Sequence, residues 1–220
     1  MPSGADRGDH RTGADELVVL LDQSGRPRGT APKAGVHHDR TPLHLAFSCW
    51  VTDGRGRTLI TRRAWSKRTW PGVWTNAFCG HPAPGEALPD AVRRRARQEL
   101  GAAITEPTPA LPLFRYRATM ANGVVENEVC PVFLSELLQE PDPAPDEVAE
   151  VRWMAIDELH HRLERDRRWF SPWAARQLVE LAATQPSFAD RTADRPRPPR
   201  LEYRNLLRHR GPGRASLTSR

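Results

Sequence analysis

Lysine is almost missing from a chain that is otherwise basic. Of 33 basic side chains only Lys33 and Lys67 are lysine, and the rest are arginine. The bias reads as a coding preference for arginine, and it marks the two lysines, since a compact ammonium grips anions differently from a planar guanidinium. Cysteine is scarce too. Cys49, Cys79 and Cys130 form an odd, widely spaced set, which argues against a disulfide framework and for reduced thiols. Cys49 and Cys130 read as small core residues. No apolar run approaches the length that spans a bilayer, and the opening MPSGADRGDHRTGADE lacks the apolar segment of a secretory signal. A cytoplasmic protein with no membrane partner is expected.

What is present suffices for one sizeable core, with 220 residues of which 38% are hydrophobic. The net charge of +6 is unevenly placed. Residues 186–220 hold nine arginines against Asp190, Asp194 and Glu202, a surplus equal to that of the whole chain. This Pro- and Arg-rich stretch has little apolar periodicity and is expected to be a disordered, solvated tail rather than a nucleic-acid arm. Residues 1–14 are expected to be a disordered leader, and 15–185 a single domain.

Within that domain, 16–22 reads as a short apolar strand closed by turn residues. Residues 43–53, a DGRG turn and 58–64 read as strand, turn and strand, and 72–79 as a further strand. From 86 to 100 the period changes to helical: Leu88, Ala91, Val92, Ala96 and Leu100 fall on one face, with Pro89 in the first turn and Gly101 as the stop. Segments 111–119 and 124–134 flank MANG, a hairpin signal. A strand at 149–156 precedes a helix at 157–166, and Ser171 as N-cap with Pro172 in the first turn opens a last helix at 173–185. Strands with interspersed helices predict a compact α/β or α+β sandwich.

Several residues could carry chemistry. Glu126 and Glu128 are two apart on a predicted strand and so share a face. Carboxylates so placed repel unless a positive group sits between them, although a solvated edge strand would look the same. His37, His44 and His81 lie near predicted strand ends, whereas His38, His160 and His161 have no evident partner. Three imidazoles and two carboxylates make a plausible octahedral site for Mn²⁺, Mg²⁺ or Zn²⁺. In NAFCGHP, Cys79 and His81 flank Gly80, which is consistent with a metal site, an activated thiol or plain packing. Trp65, Trp70 and Trp74 are expected to wall a cavity.

Gly80, Glu86, Arg94, Glu99 and Gly101 resemble the Nudix signature, in which a loop and helix hold a divalent ion on a diphosphate. Arg95 stands where that signature has Glu, and Gln98 replaces the first of its paired Glu residues. Those changes remove carboxylates that Nudix hydrolases use, so the fold is suggested and hydrolysis of a nucleoside diphosphate derivative becomes the alternative.

Five segments in order, LHLAFS, TRRAWSKRTWPGVWTNAFCGHP, FRYRAT, GVVENEVCPVF and FSPW, resemble the type 1 isopentenyl-diphosphate delta-isomerase family, over about 16 to 185. The resemblance implies a Nudix-type mixed-sheet sandwich with flanking helices, and isomerisation of isopentenyl diphosphate to dimethylallyl diphosphate in isoprenoid biosynthesis. It implies a buried metal held by His37, His44, His81, Glu126 and Glu128, and Mg²⁺ held by Glu99 on the substrate diphosphate, with no flavin. Lys33, Arg63, Lys67 and Arg95 are implied as the diphosphate grip, which includes both rare lysines. Cys79 and Glu128 are implied as the proton-handling pair: Glu128, oriented by metal and by Tyr116, takes part in protonation and Cys79 takes the C2 proton. Trp173 is implied as the π face toward a carbocation, and Gly80 as a place where backbone approaches the substrate's Mg²⁺. A monomer or weak dimer with a small-molecule substrate is expected.

Overall fold

The computed structural model describes residues 16–188; the expected leader and the expected tail beyond 188 lie outside the described residues. In chain order the elements are β1 (Leu17–Leu21), β2 (Pro27–Pro32), α1 (Lys33–Val36), β3 (His44–Leu45), β4 (Phe47–Thr52), β5 (Arg57–Arg63), β6 (Trp74–Thr75) and β7 (Phe78–Gly80). There follow α2 (Leu88–Leu100), β8 (Thr108–Leu111), β9 (Arg115–Thr119), β10 (Val125–Val129), β11 (Val132–Ser135), β12 (Val148–Ala155), α3 (Ile156–Arg165) and α4 (Pro172–Thr184). No helix among the described residues is long and apolar enough to cross a membrane.

Two mixed sheets result. One has the order β2-β1-β3-β10-β9, and the other β12-β5-β4-β11-β8 with β6 beside β5 and β7 beside β4. The parallel pairs are β3 with β10 and β4 with β11. Each of these four strands is half of a longer run. The segment expected as one strand at 43–53 breaks at Ala46, and that at 124–134 breaks at Cys130 and Pro131, where proline has no N–H to offer a ladder. The two runs cross between sheets together: Ala46 N donates to Val129 O at 2.9 Å and Ser48 N to Pro131 O at 3.0 Å. Where they cross, the sheets part, and side chains from both meet in one gap.

The helices close the two sides of this frame. The apolar face of α2 buries Leu88, Ala91, Val92, Ala96 and Leu100 against Phe47, Cys49 and Phe78, as its periodicity predicts. It stops at Gly101, whose φ of 60° suits glycine and where a Cβ would meet the Asp142 carbonyl oxygen at 2.2 Å. Ser171 accepts from Ala174 N as the expected cap of α4, which buries Trp173, Ala174, Leu178 and Leu181. Beyond α4 the chain makes a short 3₁₀ turn, Pro186–Phe188, and the Phe188 ring packs 5.5 Å from that of Trp50. The fold therefore runs past the boundary expected at 185. Strand β2 and helix α1 were not legible, since PRGTAP is an exposed edge strand with proline at both ends.

Candidate active site and metal centre

Glu128 lies on β10 directly beside His44 of β3. His37 follows α1 and His81 follows β7, so three separate segments deliver imidazoles to one carboxylate. Glu128 Oε1 lies 3.3 Å from His44 Nε2, 3.3 Å from His81 Nε2 and 3.9 Å from His37 Nε2. One ligand-type atom from each of the four falls within 4.8 Å of the others. His37 Nε2, His44 Nε2 and His81 Nδ1 are buried with no hydrogen-bond partner. Polar atoms left so cost about 1–3 kcal/mol each, which a bound cation would relieve. His44 Nδ1 faces the Pro42 carbonyl at 2.9 Å, so it carries the proton and leaves the Nε2 lone pair facing Glu128. The donor set fits a divalent ion, as Nudix enzymes use.

Glu126, the fifth expected ligand, stands outside this group of four. It accepts a hydrogen bond from the Tyr116 hydroxyl. The expectation that Tyr116 orients Glu128 is thus corrected: Tyr116 is opposite Glu128 in the β9–β10 register, but its ring carries the hydroxyl to the diagonal neighbour. The two glutamates differ in ionisation. Burial works against the charge of Glu128, yet His37, His44 and His81 outweigh it and hold the carboxyl well below its usual range. Burial, then the Glu128 charge, pushes Glu126 up. Burial pushes His81 down to about 3, against the pull of Glu128, while for His44 the pull of Glu128 overcomes burial and raises it.

Cys79 comes from the other sheet, on β7, where it pairs with Ser48 of β4. Burial pushes its thiol up to about 12, although hydrogen bonds to Ser48 and Asn76 act the other way. Trp173 projects from the first turn of α4, buried, with the Arg63 guanidinium 5.5 Å from its ring centre.

The basic residues gather at the open end. Lys33 pairs with Glu16, Lys67 with Glu147, and Arg95 donates to Glu99 from Nε at 2.9 Å and Nη2 at 2.6 Å. Arg63 is braced by the Thr69 carbonyl at 2.8 Å. Burial, with repulsion from Arg63, Arg95 and Lys33, brings Lys67 down to about 8 against the attraction of Glu99. All four basic residues, Glu99, Cys79, Trp173, Tyr116 and the His37, His81, Glu126 and Glu128 group line one cavity of about 250 Å³. His44 sits just behind its wall, fully buried.

Other expectations need revision. Trp65 is 67% exposed, Trp70 packs edge-on against Trp173, and Trp74 stacks on Trp169, so none of the three walls the cavity. Gly80 is needed for packing, since a Cβ there would meet Arg95 Cγ at 2.7 Å and Phe47 Cζ at 2.9 Å. The signature residues Glu86 and Arg94 pair at 2.8 Å, and Arg94 also donates to the His81 carbonyl at 3.1 Å, fixing the loop that carries His81. Sequence reasoning missed Ser48, Asn76 and Gln177 behind Cys79, and Glu147 at the mouth; only Asn76 had a signal, its place three residues before the cysteine.

Comparison with known proteins follows the same lines. The model of the NUDIX domain family matches residues 42–177. An isopentenyl-diphosphate Delta-isomerase of Mycolicibacterium vanbaalenii is 58% identical over 174 residues, covering 79% of this chain and 95% of its own length. One from Kocuria rhizophila is 56% identical over 167 residues, covering 76% and 93%. A crystal structure of a Deinococcus radiodurans protein, 18% identical, superimposes with a TM-score of 0.55 over 74% of this chain and 98% of that one, a likeness of fold. The chain belongs to the Nudix family and, within it, to the isopentenyl-diphosphate Delta-isomerases.

Proposed function

We propose that the protein converts isopentenyl diphosphate to dimethylallyl diphosphate by adding a proton at C4 and removing one at C2, through a tertiary carbocation. The observation that carries this reading is a thiol and a carboxylate, Cys79 and Glu128, brought from different sheets to line one small cavity with a basic mouth. An alkene is a very weak base, so the donor must be held in place and water kept away from the cation. Burial of the cavity floor serves both needs.

Lys33, Arg63, Lys67 and Arg95 bind the diphosphate oxygens and set the prenyl chain toward the floor. Cys79 Sγ and the Glu128 carboxylate are the two proton-handling groups, one delivering a proton at C4 and the other accepting one from C2; in the back reaction the two exchange roles. The Trp173 ring faces the developing positive charge, an attraction worth about 2 kcal/mol when desolvated. Tyr116 and Glu126 hold one another beside Glu128 and keep its surroundings ordered. His37, His44, His81 and Glu128 would hold Mn²⁺, Mg²⁺ or Zn²⁺, and Glu99 would hold Mg²⁺ on the diphosphate. These ions supply fixed positive charge when bound. Hydrolysis is disfavoured because the signature helix offers Arg95, itself tied to Glu99, in place of a water-activating carboxylate.

Labelled isopentenyl diphosphate, incubated with the protein and Mg²⁺ or Mn²⁺, should yield dimethylallyl diphosphate without release of phosphate, and chelator should stop the reaction. Phosphate release without an allylic product would favour the hydrolase instead.

A further inference from the structure

Behind Cys79 lies a buried set of polar side chains in which the orientations of two amides, Gln177 and Asn76, are fixed by indoles that can only donate. The indole N–H groups of Trp50 and Trp173 have no acceptor capacity. Trp50 Nε1 donates to Gln177 Oε1 at 2.9 Å, so the Gln177 amide nitrogen is the group that donates to Ser48 Oγ at 2.9 Å. Asn76 is fixed from two sides. Its Nδ2 donates to the Cys49 and Phe78 carbonyls at 2.9 and 2.8 Å, and its Oδ1 accepts from Trp173 Nε1 at 3.2 Å.

The same oxygen lies 3.4 Å from Cys79 Sγ and accepts from Thr75 Oγ1 at 2.9 Å. Toward an acceptor so oriented the thiol can only donate. From its other side the sulfur faces Ser48 Oγ at 3.3 Å. Ser48 already accepts from Gln177, and its own hydrogen can point at Cys79 or at Cys130, whose Sγ also lies at 3.3 Å. Ser48, Asn76 and Gln177 are all fully buried.

We propose that Asn76 is a positioning residue for the isomerisation. Its one amide oxygen ties the Cys79 thiol and the Trp173 indole into a single frame, and Ser48 braced by Gln177 supports the sulfur from behind. The inference rests on the isomerase reading, in which those two groups act on C4, C2 and the cation between them. Asn76 does not itself line the cavity, so its action is indirect. Its Nδ2 grips β4 and β7, which makes the oxygen part of the sheet rather than of a mobile side chain. Three donors converge on two lone pairs, and the thiol is the weakest of them. The sulfur is aimed without being locked.

Two readouts test this. In the infrared spectrum of the ligand-free protein, the S–H stretching band of Cys79 is the one lost in Cys79→Ala. It should lie below the free-thiol frequency and move up in Asn76→Ala. With isopentenyl diphosphate, kcat of Asn76→Ala should fall about 100-fold, the scale of a small misplacement of a reacting group. KM should stay within about two-fold, since substrate binding is untouched. A free-thiol band in the unsubstituted protein overturns the proposal whether or not any Asn76 variant folds. A band that moves while kcat holds, or a KM that rises as kcat falls, overturns the positioning role. Absence of turnover in the unsubstituted protein sinks the isomerase reading and the role together, an outcome distinct from a loss confined to the variants.

Discussion

The two ends of the cavity are both built from charged side chains, yet they treat charge in opposite ways. At the mouth Lys33, Lys67 and Arg95 each have a carboxylate partner in Glu16, Glu147 and Glu99, and the two lysines are 29% and 23% exposed. At the floor His44 is fully buried and three imidazole nitrogens have no hydrogen-bond partner. The two part-exposed lysine pairs exchange partners at small cost, because such pairs are worth about 1 kcal/mol or less, whereas Arg95 and Glu99 are buried together. A diphosphate can displace Glu16 and Glu147 from the lysines. The floor has no such freedom, so its energy is committed to one arrangement before substrate arrives. Substitutions at the mouth should therefore change KM, and substitutions at the floor should change kcat.

The floor gives the largest expected effects. Cys79→Ala and Glu128→Gln should each lower kcat by at least about 10³-fold, within the range of positioned proton transfer, with KM of Cys79→Ala nearly unchanged. Glu128→Gln should also lower the bound divalent metal measured by elemental analysis, and Cys79→Ala should not. Normal turnover in either variant would break the division between the two ends. Next comes Trp173→Leu, which keeps bulk but removes the π face. Loss of about 2 kcal/mol predicts a roughly 30-fold fall in kcat at unchanged KM. If KM alone responds, Trp173 belongs with the binding residues.

Lys67 tests the mouth by pH. With its ammonium lowered to about 8, it is charged below that pH and loses its charge as pH rises through it. The affinity for the diphosphate should then weaken on the alkaline side, with kcat/KM falling through about pH 8. In Lys67→Arg this limb should move beyond the range of the assay, since a guanidinium does not titrate there. A limb that stays at the same pH assigns it to another group.

The same division explains what could be read from sequence. The helix at 86–100 was legible because one apolar face repeats with the helical period, and the metal centre was legible in part because Glu126 and Glu128 share a face. What set those two glutamates apart was not local. Glu128 meets imidazoles from three other segments, while Glu126 meets a tyrosine on the next strand, and a flat strand pattern treats them alike. The crossover at Ala46 and Pro131 was hidden because apolar residues continue on both sides of it. The frame behind Cys79 was out of reach for a similar reason: Trp173 reaches Asn76 across 97 positions and Gln177 reaches Ser48 across 129. A buried serine or glutamine carries no periodic signature.

The smallest effect should come from Glu147, and its sign matters more than its size. Its carboxylate touches Lys67 and stands 3.3 Å from Arg95, so it neutralises two groups of the expected diphosphate grip. If the mouth works by exchange of anions, Glu147 competes with the substrate, and Glu147→Gln should lower KM by about two- to five-fold, the worth of a part-exposed ion pair. The value of kcat should hold, because the floor is untouched. If the glutamate instead holds Lys67 and Arg95 in the geometry that fits a diphosphate, KM should rise when it is removed. Steady-state KM of this one variant decides whether the carboxylates at the mouth are placeholders for substrate or part of its frame. A rise would mean that both ends of the cavity are preorganised.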